Sequence, residues 1–317
     1  MTEPAAGAWE TAAYQVRPAE GDLVLIGGTG RSGTHVLSRL LGRNSRYAAV
    51  PIEARFHCHK RGIPDLLAGK VTLAEFLDKL RDFWWHRVRV DDQPRGLYNL
   101  LTRRRFDAVV ERFEDEYQAD PVPACRQLFV DLFWPLAAEQ DKPGLVEMSS
   151  HNVREARTLQ RLFGEARFVH AVRDGRDAAS SVTTKTWGPG TVLKGIDWWA
   201  DRLRAIETGL RATHDGANAL SSSELCVVVL DDLVLGDREG TYGRLLDFLG
   251  IDDEPGMREF FDLQMHPDAA HLARWREGLG RIGRRRVQRK YENTLEALER
   301  EQNHVARSLI DAYKRLG

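Results

Sequence analysis

Glycine, arginine and hydroxyl side chains follow the first apolar segment of this 317-residue chain, in the run 27–35. The residues before them, 23–26, have the composition of a buried strand, and an amphipathic helix is predicted to begin near Ser32. Glycines permit a tight turn and a close approach of the backbone to a ligand. The N–H groups of the turn and of the first helical turn then point at one spot, at the positive end of the helix dipole. The segment therefore predicts a binding site for a phosphate or sulfate group.

The turn differs from the loop that binds nucleoside triphosphates. That loop has the form G-x-x-x-x-G-K-[ST], and its hydroxyl holds Mg²⁺. Gly28 and Gly33 have the required spacing, but Thr34 and His35 stand where the lysine and the hydroxyl residue belong. The cation comes earlier, at Arg31, and no second carboxylate motif for a metal–phosphate site is evident. The pattern favours a phosphorylated ligand that is bound without a metal ion.

A second strand–turn–helix pattern also brings cations to the end of an apolar segment. Residues 167–172 predict a buried strand, 173–177 a charged turn, and 178–182 the continuation of a helix. Ligands of open α/β sheets bind at the carboxyl ends of the strands. Arg173 at the strand end and Ser181 on the helix are positioned to reach one phosphate. The alternative is an ion-pair cluster at the surface, formed by the charged residues of the turn.

Together these two segments resemble the sulfotransferases that use 3′-phosphoadenosine 5′-phosphosulfate (PAPS). Members have a 5′-phosphosulfate loop of the form (P/G)-(K/R)-S-G-T, and a 3′-phosphate site with a strand-closing Arg and a Ser eight residues later. Residues 31–34 match the first motif, and Arg173 with Ser181 matches the second. The resemblance implies a P-loop kinase-like fold, a three-layer α/β/α architecture with a central parallel sheet. It also implies that Arg31 stabilises the charge that develops as the S–O bond breaks.

Further residues are assigned to PAPS by the same resemblance. The segment around Trp275 is similar to a (K/R)-W-(K/R) segment near the cofactor, although plain packing would also explain it. The basic run Arg281–Lys290 either closes over the 3′-phosphate or forms a solvated helix face. The implied cofactor-binding residues are Thr29, Gly30, Arg31, Ser32, Gly33, Thr34, His35, Arg173, Ser181, Arg274 and Trp275.

The acceptor side is predicted around Glu53. Residues 51–55 resemble the G-E-E-T-R segment of tyrosylprotein sulfotransferases, whose Glu two positions before the Arg is the base. We expect Glu53 to take the proton of the attacking hydroxyl, with a pKa that burial raises. Arg55 and His57 are predicted to contact the acceptor. A Glu53–Arg55 salt bridge that only shapes the wall is the alternative, and His57 and His59 are rival bases.

The reaction implied by the resemblance is in-line transfer of a sulfuryl group to a hydroxyl, rather than an amine, of a small-molecule, carbohydrate or natural-product acceptor. A P-loop small-molecule kinase would share the cradle but would need a lysine at position 34 and ligands for Mg²⁺. A nucleotide-binding module without activity is a third interpretation. Met148, which stands where a lysine is common in the family, is the one hint of it.

Composition sets further limits. The formal net charge is −1, which gives no general attraction for nucleic acid or an anionic membrane. Three dispersed cysteines form neither a disulfide framework nor a zinc cluster. No apolar run reaches the ~20 residues of a membrane span, and residues 1–20 lack the pattern of a signal peptide. We expect a cytoplasmic bacterial protein with no metal requirement, no nucleic-acid partner and no membrane contact.

Hydrophobic periodicity predicts alternating strands and helices, and hence a parallel sheet covered on both faces. We predict a flexible extension over 1–20 and a single domain over 21–317, with a helical acceptor-side insertion over about 56–143. Asn152 and Glu155 predict a capping box for a helix that ends at Phe163. Gly250 predicts the C-cap of a helix over Thr241–Leu249. Strands are predicted to end at Gly28 and to cover 47–52, 145–148, 168–172 and 225–230.

Overall fold

The computed structural model describes residues 22–87, 95–211 and 220–316, so the extension predicted over 1–20 lies outside the described residues. Five parallel strands form one sheet. They are β1 (Leu23–Gly28), β2 (Tyr47–Ala49), β3 (Gly144–Glu147), β4 (Arg167–Val172) and β5 (Leu225–Val229). Their order across the sheet is β2-β3-β1-β4-β5.

The central strand carries the phosphate-loop candidate. Every residue of β1 is buried, as expected of a parallel strand covered on both faces. Leu25 is in register with Glu147 of β3 on one side, and Ile26 with Val169 of β4 on the other. The turn after Gly28 therefore emerges at the middle of the carboxyl edge, between the turns that follow β3 and β4.

The helices connect these strands and cover both faces of the sheet. They are α1 (Thr34–Leu41), α2 (Ile63–Leu67), α3 (Leu73–Lys79), α4 (Arg103–Ala119), α5 (Pro121–Glu139), α6 (Ala156–Phe163), α7 (Gly175–Thr183), α8 (Val192–Arg211), α9 (Arg238–Leu249), α10 (Pro255–Gln264), α11 (Pro267–Ala270), α12 (Arg281–Arg300) and α13 (Ala306–Leu316). Short π-helical turns lie at Leu80–Trp84 and Asp232–Gly236, and 3₁₀ turns at Leu97–Asn99 and Arg274–Arg276.

Alternation along β1 divides the core into two layers, because successive strand residues point to opposite faces. Leu25 belongs to the cluster that packs under the helices between β2 and β3. Val24 and Ile26 belong to the cluster under α1, α9 and α10. A third cluster joins α7 and α8 to α12 and α13. The predicted three-layer α/β/α architecture is confirmed.

The segment predicted as a helical insertion contains α2, α3, α4 and α5. It packs through aromatic rings: Phe56 stacks on Phe133 at 5.8 Å and meets Trp84 at 6.4 Å. Trp84 and Trp85 are both buried, so these tryptophans are core residues. No helix within the described ranges combines the length and apolarity that a membrane span requires.

Two local expectations need correction. The predicted capping box at Asn152 is wrong, because α6 begins at Ala156 with Glu155 as its N-cap and without a side-chain cap. The buried Asn152 amide instead donates to the carbonyl of Ile26 at 3.1 Å and to Glu147 Oε2 at 2.6 Å. Helix α1 begins two residues later than predicted, because its N-cap Gly33 has a left-handed backbone. The C-cap at Gly250 is confirmed, with φ +61°.

Candidate active site

The loop from Gly28 to Gly33 connects β1 to α1 through an unusual backbone. Gly30 and Gly33 have φ of +83° and +93°, and the intervening Arg31 has φ +60°. A non-glycine residue in this region carries strain of order 1–3 kcal/mol, and such residues cluster at functional sites. At Gly28, an added Cβ would stand 2.3 Å from the carbonyl oxygen of Ala171. Only glycine therefore fits between β1 and β4 at this point.

The same loop presents unsatisfied donors. Gly33 gives α1 no side-chain cap, and the first turn of α1 holds no acidic residue, so α1 itself supplies no side-chain acceptor for the N–H groups of that turn. The hydroxyl of Ser32 is buried and has no hydrogen-bond partner among the residues that the structure describes. Thr34 is buried beside it. Backbone donors, a helix N-terminus and an orphaned hydroxyl together fit a tetrahedral anion.

Arg31 connects this loop to the second motif. Its Nε donates to Ser181 Oγ at 2.9 Å, across 150 residues of sequence. The arginine side chain is exposed, while Ser181 on α7 is half-buried. The structure thus brings together two residues that the sequence motifs assign to different phosphates of one ligand.

Arg173, at the end of β4, is nearly buried. Its Nη2 donates to the carbonyl oxygens of Ala270 and His271 at 2.9 and 3.0 Å. Its Nε is buried and has no hydrogen-bond partner within the described ranges. The guanidinium group is therefore held in place by backbone carbonyls and keeps one unsatisfied donor.

The remaining charged residues of the second motif are structural. Asp174 caps α7 by accepting from the N–H of Arg176 at 2.8 Å. The Arg176 guanidinium lies over the buried ring of Trp275 at 4.8 Å, and Asp177 accepts the N–H groups of Ala273 and Trp275. Packing under Arg176 explains why Trp275 is buried, whereas the side chain of the neighbouring Arg274 is exposed.

Glu53 lies at the centre of a cluster of basic side chains. Arg55 donates to its Oε2 from Nε at 2.8 Å, His35 Nε2 lies 3.4 Å from Oε1, and Arg87 Nη2 lies 3.6 Å from Oε2. Burial raises the pKa of Glu53, but the hydrogen bond to His35 and the charge of Arg55 outweigh it, and the net pKa lies well below its usual range. The predicted raised pKa is therefore wrong, and the Glu53–Arg55 salt bridge is present.

A second, fully buried carboxylate supports this segment. Glu147, at the end of β3, accepts from the backbone N–H of Ala54 at 3.3 Å and from the hydroxyl of Ser149 at 2.6 Å. That hydroxyl accepts from the backbone N–H of Arg55 at 3.1 Å. Glu147 thereby fixes the backbone that carries Glu53. Sequence reasoning did not assign Glu147; its signal is a carboxylate within a strand that is otherwise apolar.

His57 is the partner of that carboxylate and does not face an acceptor. Its ring is fully buried, with Nε2 3.1 Å from Glu147 Oε2 and 2.8 Å from Asn152 Oδ1. Burial lowers the pKa of His57, but Cys58 and Glu147 raise it well above its usual value. The predictions that His57 contacts the acceptor or acts as the base are wrong, because its side chain is enclosed in the interior.

His59, the other rival base, reaches the outer side of the site. Its ring lies 4.7 Å from that of His151, which follows β3 and which the sequence analysis did not assign. Burial and the charge of Arg55 lower the pKa of His59 to about 4. Burial and the charge of Arg154 lower that of His151 to about 2. Both rings are neutral at physiological pH and are weak bases.

The basic run Arg281–Lys290 forms the first half of α12, and its arginines are exposed. Lys290 pairs with Asp197 of α8 at 2.5 Å. Within the described ranges, no group of three or more His, Cys, Asp or Glu side chains is arranged to hold a metal ion.

The sheet order, together with an anion cradle after the central strand, defines a P-loop kinase-like α/β/α protein. A family model described as the sulfotransferase family matches residues 23–255. The chain therefore belongs to the sulfotransferase family, which confirms the predicted family.

Solved structures with related architecture include two domains from biosynthetic enzymes. The sulfotransferase domain of the olefin synthase from Synechococcus PCC 7002 is 18% identical, with a TM-score of 0.47, over 89% of this chain and 98% of that one. The sulfotransferase domain from the curacin biosynthetic pathway is 17% identical, with a TM-score of 0.45, over 80% of this chain and 83% of that one. Sulfotransferase STF1 from Mycobacterium tuberculosis H37Rv is 15% identical, with a TM-score of 0.44, over 86% of this chain and 77% of that one. No curated protein matches the chain.

Proposed function

We propose that this protein transfers the sulfuryl group of PAPS to a hydroxyl of a small-molecule, carbohydrate or natural-product acceptor. The observation that carries the proposal is the cradle at 28–34, in which Arg31 is the cation and no lysine follows Gly33. Such a loop supplies backbone donors and one fixed positive charge without requiring Mg²⁺ to bridge two phosphates.

The orphaned donors support PAPS as the ligand. The buried hydroxyl of Ser32 and the open N-terminus of α1 would hold the 5′-phosphosulfate. Arg173, with its unsatisfied Nε, and Ser181 would hold the 3′-phosphate. Arg is suited to this role because its planar fork binds phosphate through two parallel hydrogen bonds. These two groups of donors meet where Arg31 contacts Ser181.

The proposed reaction uses Glu53 as the base. PAPS supplies a sulfuryl group on its 5′-phosphate, and the acceptor oxygen attacks the sulfur while its proton passes to Glu53. The S–O bond to the 5′-phosphate breaks, and Arg31 and the α1 N-terminus stabilise the charge that remains on the phosphate. His35, whose Nε2 lies 3.4 Å from Glu53 Oε1, connects the base to the phosphate loop. The low pKa keeps Glu53 ionised but makes it a weak base in the free protein, so the proton transfer requires the acceptor to displace a cation that lowers this pKa.

The test is the release of adenosine 3′,5′-bisphosphate (PAP) from PAPS in the presence of a panel of phenols and sugars. Wild type should release PAP with at least one acceptor. Glu53→Gln should lower kcat by about 10²–10⁴-fold, the usual effect of losing a general base, while PAP affinity stays within about threefold. Arg307→Gln, at a remote and largely exposed side chain, is the control. PAP binding without release on any acceptor would contradict the proposed activity, and full activity of Glu53→Gln would contradict the base.

A further inference from the structure

Both oxygens of the Glu53 carboxylate already face basic side chains, which hinders the approach of an acceptor hydroxyl. His35 Nε2 lies 3.4 Å from Oε1, and Arg55 Nε donates to Oε2 at 2.8 Å. Arg87 Nη2 lies 3.6 Å from the same Oε2. The Glu53 side chain is only 10% exposed. Direct transfer of the acceptor proton to this carboxylate therefore requires one of the basic groups to move away.

The ring of His35 is far more accessible than the carboxylate. Its side chain is 52% exposed, and Nε2 is the ring atom that faces Glu53. Among the residues that the structure describes, none hydrogen-bonds to the other ring nitrogen, Nδ1. A neutral imidazole that donates from Nε2 carries its lone pair on Nδ1. His35 thus has an accessible nitrogen for a proton, while Glu53 holds the opposite side of the ring.

The place of His35 on α1 directs this ring toward the anion cradle. It is the second residue of the helix, whose first N–H groups form part of the cradle. The Cα–Cβ bonds of a helix tilt toward its N-terminus, so this side chain leaves α1 in the direction of the cradle. In the loop that binds nucleoside triphosphates, the same position carries the hydroxyl that holds Mg²⁺ beside the transferred phosphate. His35 therefore stands at a position that acts on the transferred group.

The chemistry of the two side chains favours the imidazole as the group that receives the proton. Histidine is the commonest general base because its ordinary pKa is about 6.5, near neutral pH. Burial raises the pKa of Glu53, but the hydrogen bond to His35 and the charge of Arg55 hold it well below its usual range. A carboxylate behind a histidine orients the ring and stabilises the imidazolium that forms, without being protonated itself.

We propose that Glu53 acts on the acceptor through His35, so that the imidazole receives the proton and the carboxylate holds the ring. As the acceptor oxygen bonds to sulfur, its proton passes to His35 Nδ1, and the S–O bond to the 5′-phosphate breaks to leave PAP. The imidazolium donates from Nε2 to Glu53 Oε1, a contact that shortens when the ligands bind. The exposed ring returns the proton to solvent afterwards. The inference rests on the proposed function and refines its proton transfer.

The experiment measures PAP release from PAPS by the full chain, with 2-naphthol, 4-methylumbelliferone and N-acetylglucosamine as acceptors. The variants are His35→Ala, His35→Gln, Glu53→Gln and the double variant that combines His35→Ala with Glu53→Gln. The matched control is His266→Ala, at a half-buried histidine outside the phosphate loop and the Glu53 segment. The thermal transition of each variant checks its folding, and calorimetry measures its affinity for PAP.

We expect His35→Ala to lower kcat by about 10²–10⁴-fold, with PAP affinity within about threefold of wild type. His35→Gln should lose as much, because an amide can donate to Glu53 but cannot take the proton. Imidazole in the buffer should raise the kcat of His35→Ala at least about tenfold and leave wild type unchanged. The double variant should be within about threefold of His35→Ala, because residues that act as a unit are not additive. His266→Ala should match wild type.

Three results would overturn the proposal while the proposed function stands. Wild-type activity in His35→Gln would show that the side chain only forms a hydrogen bond. Losses that multiply in the double variant would show that Glu53 takes the proton independently of His35. A fall in PAP affinity that accounts for the whole loss would assign His35 to ligand binding. Failure of the proposed function is distinct from these, since wild type would then release no PAP with any acceptor, which would contradict both proposals.

Discussion

Arg31 Nε and Ser181 Oγ are joined by a hydrogen bond of 2.9 Å, which ties the loop after β1 to the helix after β4. The contact is formed because β1 and β4 are neighbours in the sheet, with Gly28 in register with Ala171. The loop and α7 therefore share one site at the carboxyl edge. In the proposed function, Ser181 both orients Arg31 and donates to the ligand.

Removal of the Ser181 hydroxyl should weaken ligand binding measurably. One neutral hydrogen bond contributes about 0.5–1.5 kcal/mol, so Ser181→Ala should lower PAP affinity by about two- to tenfold in calorimetry. Ser180→Ala, at the adjacent half-buried position on α7, is the matched control and should leave the affinity unchanged. An equal loss in both variants would show that the effect belongs to the helix rather than to this hydroxyl.

Gly28 should tolerate no side chain. A Cβ at this position would stand 2.3 Å from the Ala171 carbonyl oxygen and 2.5 Å from Ser32 Oγ. Gly28→Ala should therefore displace the loop, destabilise the protein by about 1–3 kcal/mol as overpacking does, and lower PAP affinity at least about tenfold. Urea denaturation and calorimetry measure both effects.

The control for that substitution is a glycine with free space around it. Apart from its chain neighbours and the backbone of its own helix, no atom of the described residues lies within 4 Å of an added Cβ at Gly243, on α9. Gly243→Ala should be neutral or stabilising by about 0.5–1 kcal/mol, because alanine restricts the unfolded chain. A loop that binds PAP normally in Gly28→Ala would contradict the proposed cradle.

The buried pair of Glu147 and His57 should contribute strongly to stability. Both side chains are fully buried, with Nε2 and Oε2 3.1 Å apart. Loss of one partner leaves an uncompensated group in the interior, which costs on the order of 3–5 kcal/mol. Glu147→Gln should lower the free energy of unfolding in urea by that amount, whereas Glu111→Gln, at an exposed position of α4, should leave it unchanged. A loss below about 1 kcal/mol would contradict the ion pair.

Asp231 should make the protein less stable as the pH rises. Burial, followed by the charge of Asp174, raises the pKa of Asp231 to about 7, compared with 3.8 for a free aspartate. Between pH 3.8 and about 7 the folded state therefore binds a proton that the unfolded state has released, so this stabilisation is full below pH 3.8 and is lost progressively as the pH rises to about 7. Melting temperatures between pH 5 and 8 should fall more for wild type than for Asp231→Asn. The control is Asp268→Asn, at a fully exposed side chain, whose melting temperature should change with pH as that of wild type does. The same pH dependence in Asp231→Asn and in wild type would contradict the raised pKa of Asp231.

Local sequence patterns were sufficient to predict the structure of segments that depend mainly on residues close in sequence. The continuous apolar run of β1, the glycine turn after it and the left-handed Gly250 depend on residues close in sequence. Asn152 shows the limit: it matches a capping box, but its amide is buried between β1 and β3, and satisfying it there outweighs the helix cap.

The candidate site was predicted in part. The loop and its arginine follow from spacing, but Glu147 and His57 pair across 90 residues, and no local pattern indicates that pair. The pKa of Glu53 also depends on long-range packing. Burial alone predicts a raised value, whereas the folded chain sets His35 and Arg55 against the carboxylate, and they lower it.

The most direct test of the central claim is calorimetric titration with PAP, with and without Mg²⁺, on wild type and Arg31→Ala. Arg31 is exposed, so its removal should not unfold the protein, and Arg307→Ala serves as the control. The account predicts binding that is independent of metal and that Arg31→Ala weakens by about tenfold to over a hundredfold, the effect of one charge-assisted contact. No binding of PAP, together with Mg²⁺-dependent binding of ATP, would contradict the account and indicate a kinase.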